Sequence, residues 1–188
     1  MRQIVDALSV PIVRYKTEID VTHILSYAET TGYNVGDFSQ SRNIHLQDLP
    51  RFKAVFAQIQ KHIDDYHMLF QYQCDRIEMS IAWLNHTTAE QSHHPHTHPN
   101  SLISGVLYLT DTTPTYFDSP AVAARNGILV QSLMELNYAS DAIAGDLILF
   151  PSWLEHYTLP GAERRTLSFN TMPRGIVNQN TLIEANYR

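Results

Sequence analysis

The hydrophobic pattern changes period about two fifths of the way along the chain. In the first part, Leu49, Phe52, Val55, Phe56, Ile59, Ile63, Tyr66 and Leu69 recur every three or four residues, with Lys53, Gln60, Lys61 and Asp64 between them. That spacing gives one apolar stripe on an amphipathic helix and predicts a helix over 49–69. A shorter helix is predicted over 19–31, where Val21, Ile24, Leu25 and Ala28 share a face. From Arg76 the period becomes two, with Ile77, Met79, Ile81 and Trp83 alternating with Glu78, Ser80, Ala82 and Leu84. Further strands are predicted over 102–110, 128–136, 146–150 and 165–171, separated by polar or Pro/Gly turns. Helices followed by many strands, without a helix between successive strands, argue for antiparallel sheets rather than a doubly wound parallel one. The expected class is α+β, mainly β, with a barrel-like core backed by N-terminal helices.

Length and composition narrow this further. A chain of 188 residues with 44% hydrophobic and 17% charged residues can bury a substantial core and reads as one domain, 1–188. Within it, 1–75 forms the helical front and 76–175 the β core. Thirteen Lys and Arg against nineteen Asp and Glu leave a net charge of −6, which disfavours a nucleic-acid or anionic membrane partner. The lone Cys74 permits no internal disulfide and points to a reducing, cytoplasmic compartment. No targeting segment or membrane span is expected from the apolar runs.

Candidate chemistry is concentrated in the histidines. His86, His93, His94, His96 and His98 fall within thirteen residues, just ahead of the strand predicted from residue 102. Alternate residues of an extended chain point the same way, so His96 and His98 can aim two imidazoles at one point. Pro95 makes the same geometry less suitable for His94. His156 lies just beyond a buried-strand pattern ending at Pro151 and is the candidate third ligand. Three imidazoles and a water suit zinc, whereas non-haem iron commonly takes two imidazoles and a carboxylate; ligand types alone leave the metal open. Eight residues past His156, alternation puts Arg164, Thr166, Ser168 and Asn170 on one side of a strand and Arg165, Leu167 and Phe169 on the other. A guanidinium there can grip a carboxylate through two parallel hydrogen bonds.

Two blocks of the chain resemble the 2OG-Fe(II) oxygenases, within the Fe(II) and 2-oxoglutarate dependent, prolyl-hydroxylase-like superfamily. The first is His96-Thr97-His98-Pro99-Asn100-Ser101, continuing through Ser104-Gly105-Val106-Leu107-Tyr108. The second is Phe150-Pro151-Ser152-Trp153-Leu154-Glu155-His156, followed by Arg164 and Ser168-Phe169-Asn170. Trp83-Leu84-Asn85 resembles a Trp-x-Asn step ahead of the first block, so the resemblance spans about residues 77–173. It implies a double-stranded β-helix, the cupin-like jelly roll, with Fe(II) held by His96, His98 and His156. It further implies 2-oxoglutarate as cosubstrate, held by Arg164 with Tyr108 and Thr166 assisting, and O2 as oxidant. Trp83, Asn85, Asn100 and Asn170 are candidates for lining the substrate pocket or supporting the ligands. The chain departs from the superfamily at His98, where a carboxylate is usual. Three neutral ligands leave the metal's charge uncompensated and favour an anionic chelating cosubstrate.

The implied activity is a dioxygenase, an oxidoreductase that hydroxylates a small molecule or a protein side chain with release of succinate and CO2. Two other readings compete: a cupin-like three-His metal enzyme that does not use 2-oxoglutarate, and a catalytically silent binding module. The substrate is not legible, because specificity would reside in loops such as 111–126. Pairing of edge strands would make a homodimer.

Overall fold

The computed structural model describes residues 10–120, 137–177 and 183–185. Its strands are β1 (Val13–Lys16), β2 (Tyr33–Val35), β3 (Ser39–Ser41), β4 (Arg76–Thr87), β5 (Ile103–Tyr108), β6 (Thr115–Asp118), β7 (Asn137–Ser140), β8 (Asp146–Pro151), β9 (His156–Tyr157), β10 (Arg164–Val177) and β11 (Ile183–Ala185). Two helices, α1 (Val21–Ala28) and α2 (Lys53–Phe70), lie in the first part of the chain. Asp20 caps α1, its carboxylate accepting from the Thr22 amide, which satisfies one of the donors a helix start leaves free. Pro50 opens a single 3-10 turn, Pro50–Phe52, that leads into α2. The predicted helix over 49–69 is therefore a tight turn followed by an α-helix.

The larger sheet runs β1-β8-β5-β10-β4-β3-β2, with β11 paired to β10, and the smaller runs β7-β6-β9. Every pairing between these strands is antiparallel. One face of the larger sheet is covered by the helices: Ile24, Phe52, Ile59, Ile63 and Tyr66 share a core with Leu84, Leu107, Leu149, Leu167 and Phe169. The other face packs on the smaller sheet through Val106, Tyr108, Ile148 and Phe150 against Phe117, with Ala142 and Leu154. This is the jelly-roll arrangement expected, backed by helices. It also shows that the front of the chain is not helical alone, since β1, β2 and β3 extend both edges of the larger sheet. Each of these strands has three or four residues, too few for periodicity to identify. The strand predicted over 128–136 lies outside the described residues.

Strand β4 departs from its predicted alternation in a way that matters to the site. Asn170 of β10 pairs with Ile81, but its successor Thr171 pairs with Met79, so Ser80 is an extra residue on β4. Such a bulge reverses which face a strand presents. Ile77 and Met79 on one side of it, and Ala82 and Leu84 on the other, all join the helix-facing core. Trp83 and Asn85 consequently turn to the opposite face, toward the space between the sheets.

The glycine of the first motif block has a packing role. A Cβ on Gly105 would fall 2.1 Å from Cζ of Phe169, whose residue pairs with Gly105 across β5 and β10. The ring of the second block thus lies against the bare backbone of the first, and any side chain at 105 would have to displace it.

Candidate metal centre

The space between the two sheets is lined by His93, His96, His98 and His156 together with Trp83, Asn85, Thr115, Arg164, Thr166 and Ser168. His96 and His156 face each other across a short antiparallel bridge in which each amide donates to the other's carbonyl at 3.1 Å. His98 is anchored from the same side, its amide donating to the Ser152 carbonyl at 2.8 Å. The chain through 96–98 is therefore laid along the segment that carries the third histidine. One ring nitrogen from each of His96, His98 and His156 lies within 4.8 Å of the other two. Metal-to-nitrogen bonds of about 2.0–2.1 Å hold two nitrogens of one site no more than roughly 4.2 Å apart, so the rings draw in slightly from this spacing to share one cation. Among the described residues this is the one cluster of His, Cys, Asp or Glu that meets that condition.

The second nitrogen of each ring is already committed. Nδ1 of His96 lies 2.7 Å from the His94 carbonyl, Nδ1 of His156 lies 2.9 Å from the Leu154 carbonyl, and Nδ1 of His98 lies 2.5 Å from Oδ1 of Asn170. A carbonyl oxygen can only accept, so the hydrogen sits on Nδ1 in all three and Nε2 keeps its lone pair. The same three contacts fix ring orientation, as outer partners of metal-binding histidines do. Asn170 is itself held: Oγ of Ser104 donates to its Oδ1 at 2.9 Å and is 2.8 Å from Oγ of Ser152, which donates to Oγ of Ser101. The residues of both motif blocks thus converge on the His98 ring.

Desolvation favours the neutral form of His98 and His156. Desolvation, reinforced by the neighbouring imidazoles, pushes His156 down to about 3. Desolvation also lowers His98, against the opposing effect of its hydrogen bond to Asn170. The chemistry of the donor set fits a divalent metal: three imidazoles converge with their Nδ1 hydrogens committed to fixed acceptors, which leaves Nε2 of each as the ligand atom.

Arg164 supplies the opposite electrostatic feature. It is 6% exposed, and among the described residues no carboxylate pairs with it. Its guanidinium donates from Nη1 to the Thr113 carbonyl and from Nη2 to Oγ1 of Thr115, each at 2.7 Å. Its carbon lies 5.0 Å from the centre of the Tyr108 ring, within range of a cation–π attraction. Burial lowers its proton affinity, but a guanidinium remains charged in proteins. A desolvated cation held by neutral groups and facing a cavity is a receptor for an anion.

The remaining predicted residues take varied places. Thr166 and Ser168 line the cavity as the alternation of β10 predicts. Asn85 donates to Oγ of Ser168 at 2.9 Å and accepts from the Trp83 indole at 3.0 Å. Tyr108 stands beside Arg164, and its hydroxyl is bonded to Oγ1 of Thr115 at 2.7 Å and Oγ of Ser140 at 2.9 Å. It supports the guanidinium rather than lining the cavity. Asn100 is exposed in the turn before β5 and is not part of the cavity wall. Sequence reasoning missed Thr115, Phe38 and the cavity-facing role of His93. Only His93 carried a signal, its membership of the histidine cluster.

The family described as "Putative 2OG-Fe(II) oxygenase" matches residues 81–170, the stretch that holds both motif blocks. No curated protein matches the chain. Among solved structures, the chain is similar to a Pseudomonas putida prolyl-4-hydroxylase, with TM-score 0.63 and 14% identity over 89% of this chain and 95% of that one. It is similar to HygX from Streptomyces hygroscopicus, solved with nickel, 2-oxoglutarate and hygromycin B bound, with TM-score 0.60 and 14% identity over 95% and 92% of the two chains. A third is the non-heme alpha-ketoglutarate dependent carbocyclase SnoK from nogalamycin biosynthesis, with TM-score 0.65 and 13% identity over 88% and 81%. At these identities the likeness is one of fold.

Proposed function

We propose that this chain is a 2OG-Fe(II) oxygenase, an oxidoreductase that takes Fe(II), 2-oxoglutarate and O2 and hydroxylates a small molecule or a peptide side chain. The match of residues 81–170 to that family supports the class. The observation that carries the reading is the pairing of three converging imidazoles with a buried, carboxylate-free Arg164 in one cavity. A metal site alone would need no such arginine, so the cavity is built for a metal and an anion together. This is what separates the reading from a three-His enzyme that makes no use of 2-oxoglutarate.

In this reading His96, His98 and His156 hold the iron, and Arg164 holds the far carboxylate of 2-oxoglutarate, with Thr166 beside it on β10. When bound, iron and 2-oxoglutarate supply the oxidation of a substrate C–H bond by O2, with loss of CO2 and formation of succinate. The chain's own contribution is positional and electrostatic. Thr113, Thr115 and the Tyr108 ring hold the guanidinium in place before any ligand arrives. Asn170, His94 and Leu154 hold the three ligand tautomers. Trp83, with Asn85 bonded to its indole, forms part of the wall that excludes water and meets the substrate. The missing carboxylate at position 98 shifts the task of charge neutralisation to the dianionic cosubstrate.

Among the described residues no helix is long and apolar enough to cross a membrane. A cytoplasmic site of action is part of the proposal and rests on the lone Cys74 and the need to keep iron reduced. Anaerobic addition of 2-oxoglutarate to the Fe(II)-loaded protein tests the reading: a visible charge-transfer band and, on admitting air, succinate are expected. Folded, iron-loaded protein that yields neither would overturn it. Arg164→Ala is expected to abolish 2-oxoglutarate binding while iron binding persists.

A further inference from the structure

His93 belongs to the cavity but not to the metal cluster, and nothing so far gives it a task. The ladder that brings His96 opposite His156 continues: His93 and Thr158 are joined by two hydrogen bonds, His93 amide to Oγ1 of Thr158 at 2.9 Å and Thr158 amide to the His93 carbonyl at 3.1 Å. His93 is therefore held two residues along from the ligand His156, roughly 6.5–7 Å further on in an extended chain. That step leads toward Arg164. On the adjacent β6, Phe117 pairs with His156 and Tyr116 with Tyr157, so the next residue, Thr115, is level with Thr158, and Thr115 holds the guanidinium. The His93 ring is 4.9 Å from that of His96 and within electrostatic range of Arg164. Phe38, from the turn between β2 and β3, packs against it with ring centres 3.5 Å apart.

We propose that His93 is a cosubstrate-contacting residue whose imidazole hydrogen-bonds bound 2-oxoglutarate between the three-His centre and Arg164, with Phe38 packed behind the ring. This rests on the functional reading above. An acid that reaches from the metal to Arg164 must run along the wall that carries His93. The Tyr108 hydroxyl already has Thr115 and Ser140 as partners, whereas the His93 ring faces the cavity. Arg164 spends one donor on Thr113 and one on Thr115 and keeps three for the anion, and a donor from another element adds direction to that grip.

The test uses the full chain loaded with Ni(II) and titrated calorimetrically with 2-oxoglutarate, together with metal content and, on the Fe(II) form, KM and kcat. His93→Phe keeps a ring against Phe38 but cannot hydrogen-bond; His93→Gln keeps a donor without the ring. The expected result is a 2-oxoglutarate dissociation constant raised about tenfold or more in His93→Phe. KM should rise with it, metal content should be unchanged, and His93→Gln should bind close to wild type. Wild-type affinity in His93→Phe overturns the proposal. So does equal weakening in both variants, which would make ring packing the cause, or loss of metal, which would make His93 part of the metal site. Wild-type protein that takes metal but no 2-oxoglutarate overturns the functional reading and this one together, whereas the other outcomes overturn this one alone.

Discussion

At the scale of single residues, the site is governed by which nitrogen of each imidazole is free. Asn170 decides this for His98 through a side-chain oxygen, whereas His96 and His156 are set by backbone carbonyls that no substitution removes. Asn170→Ala is therefore expected to lower metal affinity about 10–100-fold while the protein stays folded, read by competition with a chromophoric chelator. Asn170→Asp restores an acceptor at the same place and should recover most of that loss. The buried rings also make stability pH-dependent. Desolvation holds His156 and His93 near 3 in the folded chain, well below the ordinary value of about 6.5 that the unfolded chain retains. The unfolded state thus takes up protons first, so stability is fully present above about pH 6.5 and is lost as pH falls toward 3. Metal-free protein should lose roughly 1 kcal/mol per group per pH unit across that window, measured by urea unfolding at pH 7, 6 and 5. A flat profile would show that the two rings accept protons as readily folded as unfolded.

At the scale of elements, the sequence was readable where periodicity ran long enough and opaque where one residue broke it. The stripe from Phe52 to Tyr66 and the alternation of Arg164 to Asn170 are both present as predicted, because each covers several repeats of its period. Strict alternation along β4 put Ile77, Met79, Ile81 and Trp83 on one face, and the bulge at Ser80 undoes this. Nothing in the local sequence announces that residue, since its cause is the register with β10, a partner about ninety positions away. Phe38 and Thr115 were hidden for the same reason: each reaches the cavity through tertiary placement of a short strand or turn. The motif spacing carried most of the metal cluster, because residues two apart on an extended segment are local geometry, and only the approach of His156 needed the fold. The contact between β5 and β10 gives a separate expectation. Gly105→Ala drives a methyl group into the Phe169 ring and should cost about 1–3 kcal/mol by denaturant unfolding. Combining it with Phe169→Leu, which takes away the obstructing ring atoms, should cost less than the two changes summed.

At the scale of the molecule, the larger sheet does two jobs on its two faces. Helices α1 and α2 seal one face with apolar side chains, which leaves the other free to carry polar ones against the smaller sheet. Arg164 is buried in the wall of that space. Arg164→Lys keeps the charge but loses the planar fork that reaches both Thr113 and Thr115. It is expected to weaken 2-oxoglutarate binding at least tenfold while leaving the metal-loaded chain folded, as judged by circular dichroism and calorimetry.

The bridge between His96 and His156 has a practical corollary. Two of the three donors are fastened main chain to main chain by bonds that owe nothing to a cation, so the cage stands ready when empty. Ions of similar size can then enter and leave without rebuilding the barrel, and the protein as purified will carry whichever divalent ion its host or buffer offered. Colourless, inactive preparations are to be expected, and chelation followed by anaerobic ferrous salt should revive them without a refolding step.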